Sequence, residues 1–200
     1  MNDYEDQNNE VKEPDLTRTY TARDYISWKT DELMELIRGK VFKMAAAPSS
    51  DHQEVVMSLG TILYLHFQKK CKVYSAPFDV YLIHSGDDWK NTKNIVQPDL
   101  CVICDSEKIH LRGCMGVPDL VVEILSPGTR FKDLGAKRDL YEEYGVKEMW
   151  IVHPQDATIA VHVLENEKYR ITSLVTQGQL LQSPTFPDLK VDLDAVFPDD

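Results

Sequence analysis

Pro118-Asp119-Leu120-Val121-Val122-Glu123-Ile124-Leu125-Ser126-Pro127 decides the fold. Its aliphatic, β-branched centre reads as a buried strand. Alternation along a strand puts Asp119, Val121, Glu123 and Leu125 on one face and Val122 and Ile124 on the other. Glu123 therefore shares its face with apolar side chains, where an ionised carboxylate is costly unless a cation or a donor meets it. Ser126-Pro127-Gly128 ends the strand. A helix is predicted from there to Tyr144, with Gly145 as its stop, and Met149-Trp150-Ile151-Val152 is a short apolar strand. Strand, helix, strand in this order is a parallel crossover, expected to be right-handed.

Upstream, Ile95 to Cys104 reads as a further strand that contains Gln97-Pro98-Asp99, and Val73 to Ile83 as one interrupted at Pro77. Between Asp51 and Lys70 the apolar residues Val55, Val56, Leu59, Ile62, Leu63 and Phe67 form one stripe of an amphipathic helix. Pro48-Ser49-Ser50 supplies the stop and the N-cap before it. Thr21 to Trp28 suits a short helix. Leu33 to Ile37 and Lys40 to Met44 suit a hairpin about Arg38-Gly39. Residues 158–164 and 169–175 suit a second hairpin, joined by Asn166-Glu167-Lys168, and Ser183 to Phe197 is loop-rich. The alternation of strands and helices is α/β, a mixed sheet between helices with a β hairpin added toward each end. Such sheets commonly place ligands at strand ends. Residues 1–15 are polar and aperiodic and are expected to be a disordered tail. Residues 16–200 are expected to form a single domain.

The chain has 200 residues and a net charge of -11, which argues against broad attraction to nucleic acid but not against a local basic groove. Arg130, Lys132, Lys137 and Arg138 make a small basic cluster after the acidic strand. No apolar stretch approaches the roughly 20 residues that cross a bilayer, and the polar N-terminus has no signal-peptide core. The expectation is a cytoplasmic protein without a membrane partner. Cys101 and Cys104 have the spacing of a redox or zinc pair, yet in a strand they fall on opposite faces. All four cysteines are therefore expected to be free thiols, buried or partly buried, as suits a reducing compartment.

Asp99 opens the strand before the one that carries Glu123. If the two strands pair, the two carboxylates can converge on one hard cation, since magnesium takes one or two carboxylates and leaves the remaining positions to water and phosphate. The alternative is that each acid sits in an ion pair or at a sheet edge. Lys137 lies three residues after Leu134 and four before Tyr141, on or beside the buried stripe of its helix. Alone it would snorkel. Beside two carboxylates it could orient or deprotonate a water, or stabilise charge on a phosphate. His52, at the start of its helix, is either a further site residue or a packing and capping histidine. Glu35 alternates with Leu33 and Ile37 and either completes a metal site or sits at an edge. Tyr141 is expected in the core with its hydroxyl near the site, and Asp119 is read as a turn or capping acid.

These residues, with Glu35-Leu36-Ile37-Arg38-Gly39, Pro48-Ser49-Ser50-Asp51-His52, Ala76-Pro77-Phe78-Asp79-Val80 and Val96-Gln97-Pro98-Asp99-Leu100, resemble the Uma-two-type restriction endonuclease family of the PD-(D/E)xK nuclease superfamily. The likeness runs over roughly residues 20–197. It implies a restriction-endonuclease-like fold and a magnesium-dependent site, with manganese as a substitute. Asp99 matches the acid of the Pro-Asp motif and Glu123 the second acid. The superfamily's lysine two residues later is absent, because position 125 is Leu, and the likeness points instead to Lys137. The resulting expectation is a DNA endonuclease with Asp99, Glu123 and Lys137 catalytic, Asp99 and Glu123 on the metal, and Glu35, His52 and Tyr141 in support. A homodimer would suit cleavage of both strands. The competing expectation is a catalytically silent nuclease-fold module that binds nucleic acid or a protein partner.

Overall fold

The computed structural model describes residues 14–28, 32–44, 48–126 and 131–197, with the backbone alone at 131–133. The expected tail lies outside the described residues except for Pro14 and Asp15. Pro14 is buried, and the Asp15 carbonyl accepts the Arg18 N–H in a turn.

In chain order the elements are α1 (Ala22–Tyr25), β1 (Met34–Ile37), β2 (Lys40–Lys43), α2 (Ser50–Phe67), β3 (Lys72–Ser75), β4 (Val80–Tyr81), β5 (Ile95–Val96), β6 (Leu100–Ile103), β7 (Ile109–His110), β8 (Gly113–Met115), β9 (Leu120–Ile124), α3 (Phe131–Tyr144), β10 (Glu148–His153), β11 (Thr158–Glu165), β12 (Lys168–Thr176), β13 (Leu180–Gln182) and β14 (Lys190–Asp192). They build two six-stranded sheets, a central one in the order β12-β11-β10-β9-β6-β3 and a second in the order β2-β1-β5-β4-β8-β7, plus the small hairpin β13-β14. Strands β9 and β10 pair in parallel across the α3 crossover, and β11 and β12 extend the sheet antiparallel.

Every residue of β9 is buried, as a central strand covered on both faces requires. On one face Val55, Leu59, Leu63 and Phe67 of α2 pack on Leu100, Val102, Leu120, Val122 and Trp150. On the other, Leu140 and Tyr141 of α3 join Cys101, Val121 and Met149, and Val80 and Val96 of the second sheet, with Leu82 just after β4, complete that core. The N-terminal hairpin turns on Arg38 (φ 51°) and Gly39 (φ 77°), the two positive-φ positions of a tight two-residue turn. The second hairpin turns on Asn166 and Glu167 in the same way, with Lys168 already in the strand.

Three expectations are corrected. Residues 95–104 are not one strand: Ile95–Val96 belongs to the second sheet and Leu100–Ile103 to the central one, and Gln97-Pro98-Asp99 is the corner between them. Pro98 has no N–H to give to a ladder, so the run breaks there. The cysteines are not all free, since Cys71 and Cys104 form a disulfide. Antiparallel β3 and β6 pair Lys72 with Ile103, and one step further along that register brings Cys71 to Cys104. Cys101, on the opposite face from Cys104 as alternation required, is a buried free thiol, as is Cys114. Burial pushes the Cys114 thiol up to about 12 and Cys101 also upward, so neither is a ready nucleophile. The basic cluster is not a surface groove at Lys137, which is buried. Arg130 and the Lys132 side chain lie outside what is described, and exposed Arg138 pairs with Asp139.

Candidate active site

Strands β6 and β9 are antiparallel with Leu100 opposite Val122, so the register carries Asp99 alongside Glu123. Glu123 is 7% exposed and lies in contact with α3. Lys137 Nζ lies 2.7 Å from Glu123 Oε1 and 2.9 Å from Oε2, and 3.0 Å from Glu35 Oε1. It also donates to the Gln97 carbonyl at 3.4 Å. Tyr141, fully buried, donates its hydroxyl to Glu123 Oε1 at 2.7 Å. Three elements thus supply the cluster: β1 of the second sheet carries Glu35, β9 carries Glu123, and α3 presents Lys137 and Tyr141 one helical turn apart.

Asp99 sits at the rim. Its Oδ2 accepts the Ile124 N–H at 2.6 Å, and its Oδ1 lies 3.2 Å from His52 Nε2. His52 reaches it from the first turn of α2, where the Ser49 side chain caps the helix by accepting the His52 N–H at 3.3 Å. His52 Nδ1 is buried without a partner among the described residues. Asp119 acts as a tie rather than a site acid: it accepts the Cys104 N–H and pairs with Lys147 at 2.7 Å.

The charges do not balance. Burial pushes Glu123 up to about 7, the negative charges of Asp99 and Glu35 add to the rise, and Lys137 counteracts only part of it. Burial alone would lower Lys137, but the charges of Glu123 and Glu35 outweigh it and hold the side chain above its ordinary value, as an ammonium. The hydrogen bond to Asp99 raises His52 against the opposing effect of burial. Burial also pushes the Tyr141 phenol well above its usual range, so it remains a donor.

The two carboxylates Asp99 and Glu123 are hard oxygen donors of the kind a small divalent cation takes, in the number magnesium uses. Among the described residues no group of three or more His, Cys, Asp or Glu side chains is arranged as a metal cage. A cation drawn to Asp99 and Glu123 would have to share oxygens that now meet Ile124, His52, Lys137 and Tyr141.

Sequence reasoning singled out Glu35, Asp99, Glu123, Lys137, Tyr141 and His52, and all six lie in this neighbourhood. It missed Gln97 and Asp79. The Gln97 N–H donates to Glu35 Oε1 at 2.7 Å, and its side-chain amide donates to Asp79 Oδ1 at 2.7 Å. Asp79 was legible as a polar residue inside the apolar run Phe78 to Leu82 and as part of the family-like segment Ala76-Pro77-Phe78-Asp79-Val80, but not as a site residue. A cavity of about 270 Å³ is lined by Tyr25, Trp28, Asp79, Tyr81 and Arg112, and not by Lys137.

The comparisons with known proteins follow the same lines. The model of a family described as "Uma2: Putative restriction endonuclease" matches residues 22–194. An "Uncharacterized protein slr1290" of Synechocystis sp. (strain ATCC 27184 / PCC 6803 / Kazusa) is 28% identical over 124 residues, 60% of this chain and 61% of that one. The match thus spans about three-fifths of that relative's length. A crystal structure of "a putative nuclease belonging to DUF820" from Anabaena variabilis ATCC 29413 superposes with a TM-score of 0.68 at 17% identity, over 89% of this chain and 97% of that one, and shows the same fold. None of the described helices is long and apolar enough to cross a membrane. With its central sheet, its second sheet and the Glu35–Glu123–Lys137 cluster all inside the matched span, the chain belongs to the Uma2 family.

Proposed function

We propose that this chain is a magnesium-dependent endonuclease that hydrolyses phosphodiester bonds in DNA, with manganese able to substitute. The observation that carries this reading is the charge balance: Glu35, Glu123 and nearby Asp99 surround one buried ammonium, Lys137. Asp99 and Glu123 would hold the cation, which when bound would lower the pKa of a water and draw charge from the scissile phosphate. The chain's own residues supply the rest. Lys137, kept protonated by its two glutamates, is a donor suited to charge developing on a phosphate oxygen rather than a base for water. Tyr141 orients the Glu123 carboxylate through its hydroxyl, and His52 does the same for Asp99. Glu35 shares the ammonium and so limits how far it can move.

Supercoiled plasmid incubated with magnesium or manganese tests the reading. Metal-dependent nicking that disappears in Glu123→Ala and Lys137→Ala, both still folded, is the expected result. A protein that binds no divalent cation, with both variants equal to wild type, would end it. RNA in a parallel reaction separates the two nucleic acids.

One observation favours the second reading, a module that binds without cutting. Both Glu123 oxygens and both Asp99 oxygens already have protein partners. DNA retention that is insensitive to Asp99→Asn, with no cleavage under any metal, would support it.

A further inference from the structure

Gln97 threads the corner between the two sheets, and its main chain is held inside the site. Its N–H donates to Glu35 Oε1 at 2.7 Å and its carbonyl accepts from Lys137 Nζ at 3.4 Å. The next residue, Pro98, confines residue 97 to extended backbone. Its side chain runs the other way, to Asp79, which directly precedes β4 and meets Tyr81 of that strand and Tyr25 of α1. A carboxylate only accepts, so the Gln97 NH2 must face Asp79, and this leaves Gln97 Oε1 buried without a partner among the described residues. A buried carbonyl left unpaired is costly, and a residue serving the core alone would be apolar.

Asp79 is anchored from several directions. Tyr25 donates to its Oδ1 at 3.1 Å and Tyr81 to its Oδ2 at 3.3 Å. Its carbonyl accepts the Cys114 N–H at 2.9 Å. Gly113, at φ +134°, lets β8 come this close, since a Cβ there would lie 2.1 Å from the Asp79 carbonyl oxygen.

We infer that Asp79 and Gln97 are positioning residues: Asp79 holds the Gln97 side chain, and Gln97 thereby fixes Glu35 and Lys137 in register with Glu123. The inference rests on the reading of the cluster as a hydrolytic site, but its test does not depend on cleavage. Lys137 is 8% exposed, so its amine is shielded from a methylating reagent. In the full chain, reductive methylation of Lys137 followed by mass spectrometry should run at least about fivefold faster in Asp79→Ala and in Gln97→Met. Asp79→Asn, which keeps an acceptor for Gln97 and Tyr25, should restore the wild-type rate. Gln97→Met leaves Asp79 and its tyrosines intact, so it carries the test if Asp79→Ala fails to fold. Where DNA is cleaved, kcat should fall roughly 10- to 100-fold in Gln97→Met with KM little changed. Folded variants whose Lys137 is as protected as in wild type would overturn the inference. If labelling responds but wild type cuts nothing, the inference stands and the endonuclease reading alone fails.

Discussion

Glu123 and Glu148 lie on neighbouring parallel strands, β9 and β10, both buried, and point to opposite faces of the central sheet. Glu148 meets only neutral donors: Oε1 accepts the Trp150 indole N–H at 2.6 Å, and Oε2 accepts the Ser183 hydroxyl at 2.8 Å and the Thr185 N–H at 2.9 Å. It fastens the C-terminal segment onto the sheet. Glu123 instead shares one ammonium with Glu35 and lies in the field of Asp99. Burial alone therefore does not tell the two acids apart. A carboxylate whose donors are neutral and complete is a fastening, whereas Glu123 shares its one cationic partner with a second acid.

The contrast can be broken first on cleavage. Lys137→Met should lower metal-dependent nicking by about a hundredfold or more, and Glu148→Gln should stay within about twofold of wild type per folded molecule. Equal losses in plasmid assays would erase the distinction. Stability should rank the pair the other way. Glu148→Leu orphans three donors, each costing about 1–3 kcal/mol when buried and unpaired, so urea unfolding should show a loss of about 3 kcal/mol or more.

A smaller effect of opposite sign is expected at Glu123. With chelator present, Glu123→Gln removes one negative charge from a crowded group while Lys137 keeps Glu35. Unfolding free energy should therefore hold or rise by about 1 kcal/mol, and a loss as large as that of Glu148→Leu would contradict the charge imbalance. The smallest effect lies far from the site. Burial lowers the pKa of His162 from 6.5, so the unfolded chain takes up its proton first as pH falls. Its contribution is complete above pH 6.5 and is lost progressively below it. Relative to His162→Leu, wild type should lose ground between about pH 7 and 5, by roughly 1.4 kcal/mol for each tenfold by which the unfolded chain binds that proton more tightly. Parallel pH profiles for the two proteins would refute this.

The difference between the two glutamates also shows what a single chain reveals. Glu123 was legible because it interrupts an apolar run at a strand's centre, and Lys137 because its helix positions are fixed by Leu134 and Tyr141. Both are local patterns. Glu148 was not, because it stands at a strand's edge in sequence and two of its three donors come from Ser183 and Thr185, more than thirty residues on. The same limit hid the Cys71–Cys104 disulfide, which depends on the β3–β6 register, and the split of 95–104 between two sheets. Pro98 hinted at a break, but nothing local says that the halves join different sheets. The Asp79–Gln97–Glu35 chain follows from that split and was invisible with it.

A cation site on Asp99 and Glu123 is open to calorimetric titration of manganese into metal-free protein. Binding is expected in wild type and in Glu148→Gln, and its loss in Asp99→Asn and in Glu123→Gln, with all four proteins folded. Binding that is unchanged in both site variants, or absent from wild type, would contradict a cation site built on Asp99 and Glu123.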